Sequence, residues 1–151
     1  MSNHVFAAYG VGVNRAEMAK RCPTAKLLGA STLRNHRIVF RGTHAAAVAN
    51  VEPMKGCSVP VLVWDITPAD EAALDLYEEF PHLFEKQQFR IRLDGKLISC
   101  VAYVMRGGHP LGKPSAFYYS AVLEGYKVAG FDVDILRSAV SKSVEPIERE
   151  T

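Results

Sequence analysis

Two adjacent carboxylates, Glu78 and Glu79, are the residues of this sequence best suited to acid–base chemistry. They lie in the last turn of a predicted helix. Pro81 must end this helix, because proline cannot continue it. Near a helix C-terminus the backbone dipole disfavours negative charge, and a second carboxylate nearby does the same, so the proton affinity of each is raised. A carboxylate of this kind suits a general base or proton shuttle. The alternative interpretation is that both side chains only solvate the helix end.

A glycine turn after the first predicted strand is the second candidate site. The strand is expected over His4–Tyr9, and Gly10-Val11-Gly12 then allows a sharp turn before a helix that Asn14 caps. Unpaired amide groups in such a turn can hold an anion or a polarised carbonyl oxygen. A plain tight turn is the alternative. Arg15 stands where a dinucleotide-binding fingerprint needs its third glycine, which argues against a dinucleotide site.

The helix that must carry Glu78 has a strong start signal at Thr67-Pro68-Ala69-Asp70. Its apolar residues repeat at helical spacing, which predicts one buried face formed by Ala69, Ala73, Leu76 and Phe80. Glu78 is expected at the edge of that face, where it can point into a cleft, and Glu79 is expected to turn further away.

The other elements predict an α+β fold with a small mixed β-barrel and flanking α-helices. Residues 25–65 contain several apolar, β-prone runs separated by turn residues. Asp94-Gly95 predicts a tight hairpin between two further strands. Helices are expected from Ser115 to about Gly130 and again after Asp132. We expect a single domain over residues 1–144 and a polar C-terminal tail over residues 145–151.

Composition excludes several classes of function. The chain is 48% hydrophobic and 23% charged, with a net charge of +2, and no basic run with interleaved aromatic residues supports nucleic-acid binding. No segment resembles a signal peptide or could span a membrane. The three cysteines form no Cys-x-x-Cys pair and are expected to be buried free thiols in a reducing compartment. Cytoplasmic localisation is therefore the default expectation.

The histidines of the chain do not predict a metal site. They are scattered, without a pair at metal-ligand spacing, and are His4, His36, His44, His82 and His109. His82 is near Glu78 in sequence and is a candidate accessory residue, as is Glu79, although a packing or surface role is the alternative for His82. We therefore expect no metal site among the histidines.

Several separate stretches resemble the γ-glutamylcyclotransferase-like (AIG2-like) family, in the same order and at similar spacing. The resemblance covers residues 5–136 and is carried by Phe6-Ala7-Ala8-Tyr9-Gly10, Arg21-Cys22-Pro23, Asn50-Val51-Glu52-Pro53, Val59-Pro60, Trp64-Asp65-Ile66-Thr67, residues 74–83, Leu123-Glu124-Gly125-Tyr126 and Gly130-Phe131. The family has a small β-barrel with flanking helices and needs neither metal nor cofactor. Its enzymes cyclise the glutamyl part of a γ-glutamyl compound to 5-oxoproline and release an amine or amino acid.

The resemblance also implies roles for residues. Glu78 matches the family's catalytic glutamate, which acts as general acid and base, and Tyr118 stands near its pocket tyrosine, with Tyr119 an equal candidate. The backbone of the glycine turn would hold the substrate carboxylate or the developing oxyanion; the residues concerned are Tyr9, Gly10, Val11 and Gly12.

The sequence departs from the family at the pocket. The usual loop is Tyr-Gly-Ser-Asn, whereas Val11-Gly12 follow Tyr9-Gly10 here, and Glu79 replaces a common glycine. Two alternatives to the cyclotransferase therefore stay open: a binding protein that captures a ligand with a free amino-acid head without turnover, and an enzyme for another amino-acid conjugate. The partner in each case is a small molecule. The oligomeric state is open, and a homodimer is one state that the sequence allows.

Overall fold

The computed structural model describes residues 2–149, with side chains up to residue 143. The elements in chain order are β1 (His4–Ala8), α1 (Arg15–Arg21), β2 (Lys26–Arg41), β3 (Val48–Ile66), α2 (Pro68–Tyr77), β4 (Phe84–Leu93), β5 (Lys96–Met105), α3 (Ala116–Ala129) and α4 (Asp134–Arg149). One 3-10 turn, Val11–Val13, lies between β1 and α1. The backbone of α4 includes residues 145–149 of the predicted polar tail, and Glu150 and Thr151 lie outside the described residues.

The first strand of the chain is the central strand of the sheet. The strand order is β2-β3-β1-β5-β4, with β1 antiparallel to β3 and parallel to β5. Phe6 pairs with Trp64 on one side and Val101 on the other, and Phe6, Ala7 and Ala8 are buried. A strand covered on both edges and both faces explains the continuous apolar run in this part of the sequence. The C-terminal end of β1 is therefore held rigidly where the glycine turn begins.

The predicted α+β fold is confirmed, but the predicted barrel is open. The edge strands β2 and β4 approach each other, and the Ser31 hydroxyl donates a hydrogen bond to the Arg92 carbonyl oxygen. The rings of His36 and Phe89 also meet edge to face at 5.3 Å. Register shifts in β2 increase its bend and bring the edges together. Side-chain contacts, rather than a backbone ladder, fill this seam, so the sheet curls without closing.

Local turn and cap signals are confirmed by the backbone. Asp94 and Gly95 have φ of 51° and 79° and form the two-residue turn between β4 and β5. Thr67 and Asp70 form a complete capping box at the start of α2. The strands between α1 and α2 differ from expectation: Asn35, Pro53 and Gly56 lie within two long strands instead of separating shorter ones. An irregularity in the β2–β3 pairing accommodates them.

The buried face of α2 was predicted wrongly at two positions, because Ala69 and Leu76 are both exposed. Leu76 is 82% exposed, whereas Leu74 is 5% exposed and packs into the core. The inner face also contains Asp70, whose carboxylate is buried because it completes the capping box and accepts a 2.8 Å hydrogen bond from the Thr24 hydroxyl. Since Asp70, Leu74 and Glu78 are four residues apart, Glu78 lies on this inner face rather than at its edge.

The expectation of three buried cysteines was wrong for one of them. All three are free thiols; Cys22 and Cys100 are buried, whereas Cys57 is exposed on β3. Within the described residues, no helix is long and apolar enough to cross a membrane.

Helix α3 approaches the glycine turn so closely that only glycine fits at residue 125. A Cβ atom there would lie 2.6 Å from the carbonyl carbon of Val13 and 2.7 Å from the amide nitrogen of Asn14. We expect Gly125→Ala to lower the free energy of unfolding by about 1–3 kcal/mol, because backbone atoms cannot move aside. Gly107→Ala is the control, since nothing lies within 4 Å of its Cβ. Urea denaturation curves that shift equally for both variants would contradict the expectation.

Candidate functional site

A cavity of about 250 Å³ lies between the end of β1 and the end of α2. Its wall combines the glycine turn, the end of α1, the beginning of β3, the loop after α2, part of β5 and the first turn of α3. Pockets for drug-sized ligands usually measure about 300–1,000 Å³. This cavity therefore suits a ligand about the size of an amino acid.

The fold brings nearly all of the predicted site residues to this one cavity. Its lining includes Tyr9, Gly10, Val11, Gly12, Glu78, Glu79 and Tyr118. His82 is not in the lining, and its side chain is exposed. The chain turns after Glu79, where the His82 amide donates to the Glu79 carbonyl oxygen, and the turn leads His82 away from the cavity.

Glu78 is the C-cap residue of α2 and presents its carboxyl group to the cavity. Burial in the cavity raises the pKa of Glu78 to about 7, and the nearby positive charge of Arg21 lowers it only in part. In the described part of the chain, no protein group donates a hydrogen bond to this carboxylate. At neutral pH the Glu78 carboxyl group is thus balanced between its two protonation states and free to contact a ligand.

The loop after Glu78 closes α2 with a Schellman motif. The Phe80 amide donates to the Asp75 carbonyl oxygen at 2.9 Å, and the Glu79 amide donates to the Leu76 carbonyl oxygen at 3.2 Å. Glu79 has φ of 53°, the left-handed conformation that this position of the motif requires and that glycine adopts most easily. The family's usual glycine after the glutamate therefore has a backbone reason, and Glu79 is held here against its conformational preference.

Replacing Glu79 by glycine is expected to stabilise the protein. Because glycine adopts φ of 53° without strain, Glu79→Gly should raise the free energy of unfolding by up to about 1 kcal/mol. Glu79→Ala removes the same carboxylate but keeps a Cβ atom, and should show no such gain. Urea denaturation of both variants isolates the backbone effect, and equal stability of the two would show that the left-handed residue is not strained.

The glycine turn presses against its own strand. A Cβ atom on Gly12 would lie 2.7 Å from the Ala8 Cβ, and the Gly12 carbonyl oxygen accepts a 3.1 Å hydrogen bond from the Trp64 indole. The amides of Val13 and Asn14 donate to carbonyl oxygens within the turn. The amides of Val11 and Gly12 have no acceptor among the described residues, as is usual for the first amides of a helical turn. Both residues belong to the cavity lining.

Two tyrosine hydroxyls complete this wall. The Tyr118 hydroxyl accepts a 3.1 Å hydrogen bond from the Ala49 amide, and its own proton is left for a ligand. The Tyr9 hydroxyl donates to the Tyr103 carbonyl oxygen at 2.6 Å. Burial raises the pKa of both Tyr9 and Tyr118, and the charge of Glu78 adds to the effect, so both stay protonated at neutral pH. Tyr119 lies outside the lining and packs against Phe40.

Sequence reasoning missed Arg21 and Tyr103 in the cavity lining. Arg21 ends α1 one turn after Glu17, a spacing that could have indicated a fixed arginine. Tyr103 lies in a buried strand, and no local pattern distinguishes it from core aromatics. Its hydroxyl donates to Asp75, which also pairs with Lys86. Since Lys86 belongs to β4, this network fastens α2 to the sheet beside the cavity. Among the side chains that the structure describes, up to residue 143, no three metal-ligating groups cluster.

Comparison with known proteins assigns the chain to one family. A family model described as "Gamma-glutamyl cyclotransferase, AIG2-like" matches residues 6–125, well over half of the chain. Among curated proteins, no sequence matches this chain significantly.

Solved structures share the fold at low sequence identity. A structure described as "Gamma-glutamyl cyclotransferase" has a TM-score of 0.80 and 18% identity, with 99% of this chain and 100% of that chain covered. The uncharacterized protein loc79017 from Homo sapiens has a TM-score of 0.80 and 19% identity, with 92% and 87% covered. YkqA from Bacillus subtilis has a TM-score of 0.79 and 13% identity, with 92% of this chain and 55% of YkqA covered.

Proposed function

The chain belongs to the γ-glutamyl cyclotransferase, AIG2-like family, and on this premise we propose that it is a cyclotransferase. The reaction is the cyclisation of a γ-glutamyl amide or dipeptide to 5-oxoproline, with release of an amine or amino acid. The observation that carries the proposal is the Glu78 carboxyl group, which faces a small cavity with its pKa raised to about 7. Such a group can both accept and return a proton at neutral pH.

The chemistry needs one proton shuttle. Glu78 takes a proton from the substrate's α-ammonium group, and the resulting amine attacks the γ-carbonyl carbon of the same molecule. The new C–N bond closes the five-membered ring and leaves two protons on the ring nitrogen. As the bond to the leaving nitrogen breaks, Glu78 gives its proton to that nitrogen, and the vacated Glu78 carboxylate then takes the second proton from the ring nitrogen and passes it to the released amine. Because the attack is intramolecular, a cavity that holds the substrate folded supplies much of the acceleration.

The unused amides of Val11 and Gly12 support stabilisation of the tetrahedral intermediate. Charge develops on the γ-carbonyl oxygen during attack, and preorganised donors at such an oxygen commonly contribute about 3–4 kcal/mol each. The Tyr118 hydroxyl, fixed by the Ala49 amide, is a further donor on the same wall. In this proposal Tyr9 mainly shapes the wall, because its hydroxyl proton already bonds the Tyr103 carbonyl oxygen.

A binding protein without turnover is the second candidate function. The observation that favours it is Gly12, whose position has no room for a side chain, so the family's usual asparagine is not accommodated in this backbone arrangement. If the missing serine and asparagine side chains are needed to orient the substrate, the cavity would hold a ligand with a free amino-acid head and leave its amide intact.

The test is release of 5-oxoproline from a panel of γ-glutamyl dipeptides and γ-glutamylamines, with α-glutamyl dipeptides as controls. We expect turnover of γ-linked compounds only, because only in them does attack of the α-amino group on the amide carbonyl close a five-membered ring and release 5-oxoproline. Binding of the panel without turnover would support the second candidate. If the protein neither binds nor turns over any compound of the panel, both candidate functions are contradicted.

A further inference from the structure

Arg21 supplies the one positive charge in the described lining of the cavity. It belongs to α1, whereas Glu78 follows α2, so two separate helices contribute opposite charges to the same space. The rest of the lining is mainly apolar, aromatic or backbone. A ligand that carries a negative group therefore has a fixed partner in this wall besides the backbone amides of the glycine turn.

The Arg21 guanidinium is held in place without being fully used. It stacks on the Tyr77 ring at 3.9 Å, and its Nη1 donates to the Glu17 carbonyl oxygen at 2.9 Å. Oε1 of Glu17 lies 3.6 Å from Nη2 of Arg21, whereas Oε2 of Glu17 lies 2.8 Å from Nζ of Lys20. Lys20 is therefore the nearer partner of the Glu17 carboxylate. A guanidinium has five N–H donors, so most of those on Arg21 stay available to a ligand.

Arg21 and Glu78 both line the cavity without contacting each other as an ion pair. Within the described residues they form no ion pair with each other, and the ion-pair partner of Arg21 is Glu17. Both residues line the cavity, and the charge of Arg21 partly offsets the effect of burial on the pKa of Glu78. The space between them is therefore bounded by a carboxyl group and a guanidinium.

An α-amino acid head matches this pair of groups. It carries an ammonium group and a carboxylate on the same carbon atom, and guanidinium groups bind carboxylates through paired hydrogen bonds. We infer that Arg21 binds the substrate's α-carboxylate while Glu78 faces its α-amino group. This inference rests on the proposed function and deepens it, because it makes a free α-carboxylate a requirement for substrates. It also leaves the amides of Val11 and Gly12 to the γ-carbonyl oxygen.

The experiment combines a change in the enzyme with a change in the substrate. γ-Glutamylethylamide carries the α-carboxylate, whereas 4-aminobutanoylethylamide lacks it but has the same amine, carbonyl and leaving group, and cyclises to pyrrolidin-2-one. For Arg21→Met we expect kcat/KM to fall about 10- to 100-fold for the first substrate and less than threefold for the second. Arg21→Lys should recover part of the loss. Arg15→Met, an exposed arginine of the same helix, is the control and should change neither value.

Equal losses for both substrates in a folded Arg21→Met protein would overturn the inference, because a merely structural role cannot depend on the substrate carboxylate. Calorimetric measurement of the affinities for 5-oxoproline and pyrrolidin-2-one tests the carboxylate site independently of the proposed reaction. If the wild type turns over neither amide but binds 5-oxoproline at least tenfold more tightly than Arg21→Met does, the carboxylate site stands and the cyclotransferase proposal fails. Binding of 5-oxoproline that is unaffected by Arg21→Met would overturn the inference.

Discussion

Replacing Glu78 by glutamine is expected to lower kcat/KM for 5-oxoproline formation by about 10²- to 10⁴-fold, the usual contribution of a positioned acid–base group. Glutamine keeps the size and polarity of the side chain but can neither accept nor return the proton. The fold should be retained, because no protein group in the described chain depends on this carboxylate for a hydrogen bond. Glu124→Gln, an exposed carboxylate on α3, is the matched control and should keep full activity.

The pH dependence of the wild type provides a second readout of the same group. Only ionised Glu78 can take the proton from the α-ammonium group, so kcat/KM should rise with pH through an apparent pKa of about 7. Residual activity of Glu78→Gln should lack this transition. A variant with near wild-type kcat/KM and an unchanged pH profile would show that another group transfers the proton.

The same substitution is expected to stabilise the protein at alkaline pH. The pKa of Glu78 is about 7 in the folded protein, whereas a glutamate in an unfolded chain titrates near 4.3. Between these values the folded state keeps a proton that the unfolded chain has lost, so stability falls as pH rises. Below about pH 4 both states are protonated and there is no penalty. Above about pH 8 the full penalty applies, on the order of 3 kcal/mol.

Urea denaturation at pH 4 and pH 8.5 measures this penalty as a difference between proteins. The stability of Glu78→Gln relative to wild type should increase by about 3 kcal/mol from the lower to the higher pH, because glutamine does not titrate. Glu124→Gln, which removes an exposed carboxylate outside the cavity, is again the matched control. A difference between Glu78→Gln and wild type that is the same at both pH values would mean that the cavity does not raise the pKa of Glu78.

Features that depend on a few neighbouring residues could be predicted from the sequence. Asp94-Gly95 predicted its hairpin because both residues accept positive φ, and Thr67 and Asp70 predicted a helix start because their side chains satisfy the first amides. The inner face of α2 was harder. Asp70 is a buried polar residue of this face and interrupts the apolar repeat. The repeat therefore predicted that Leu76 is buried, whereas the leucine that is buried is Leu74.

Features that depend on distant parts of the chain could not be predicted locally. Tyr118 and Tyr119 are chemically equivalent neighbours, and only the packing of α3 on the sheet points one toward the cavity and the other toward Phe40. Arg21 and Tyr103 reach the cavity for the same reason, from elements far apart in sequence. The open seam between β2 and β4 likewise follows from the bend of a long strand, which periodicity does not reveal.

The central place of β1 in the sheet has a consequence for the order in which the protein can assemble during translation. Phe6 of β1 pairs with Val101 of β5. Because these residues are far apart in the sequence, β1 leaves the ribosome well before β5 does. At typical synthesis rates this interval is roughly 5–20 s. The hairpins β2–β3 and β4–β5 need only nearby segments, whereas β1 must wait for both. Because the glycine turn follows β1, the cavity is completed late, and until β5 emerges β1 can pair only along the edge that faces β3.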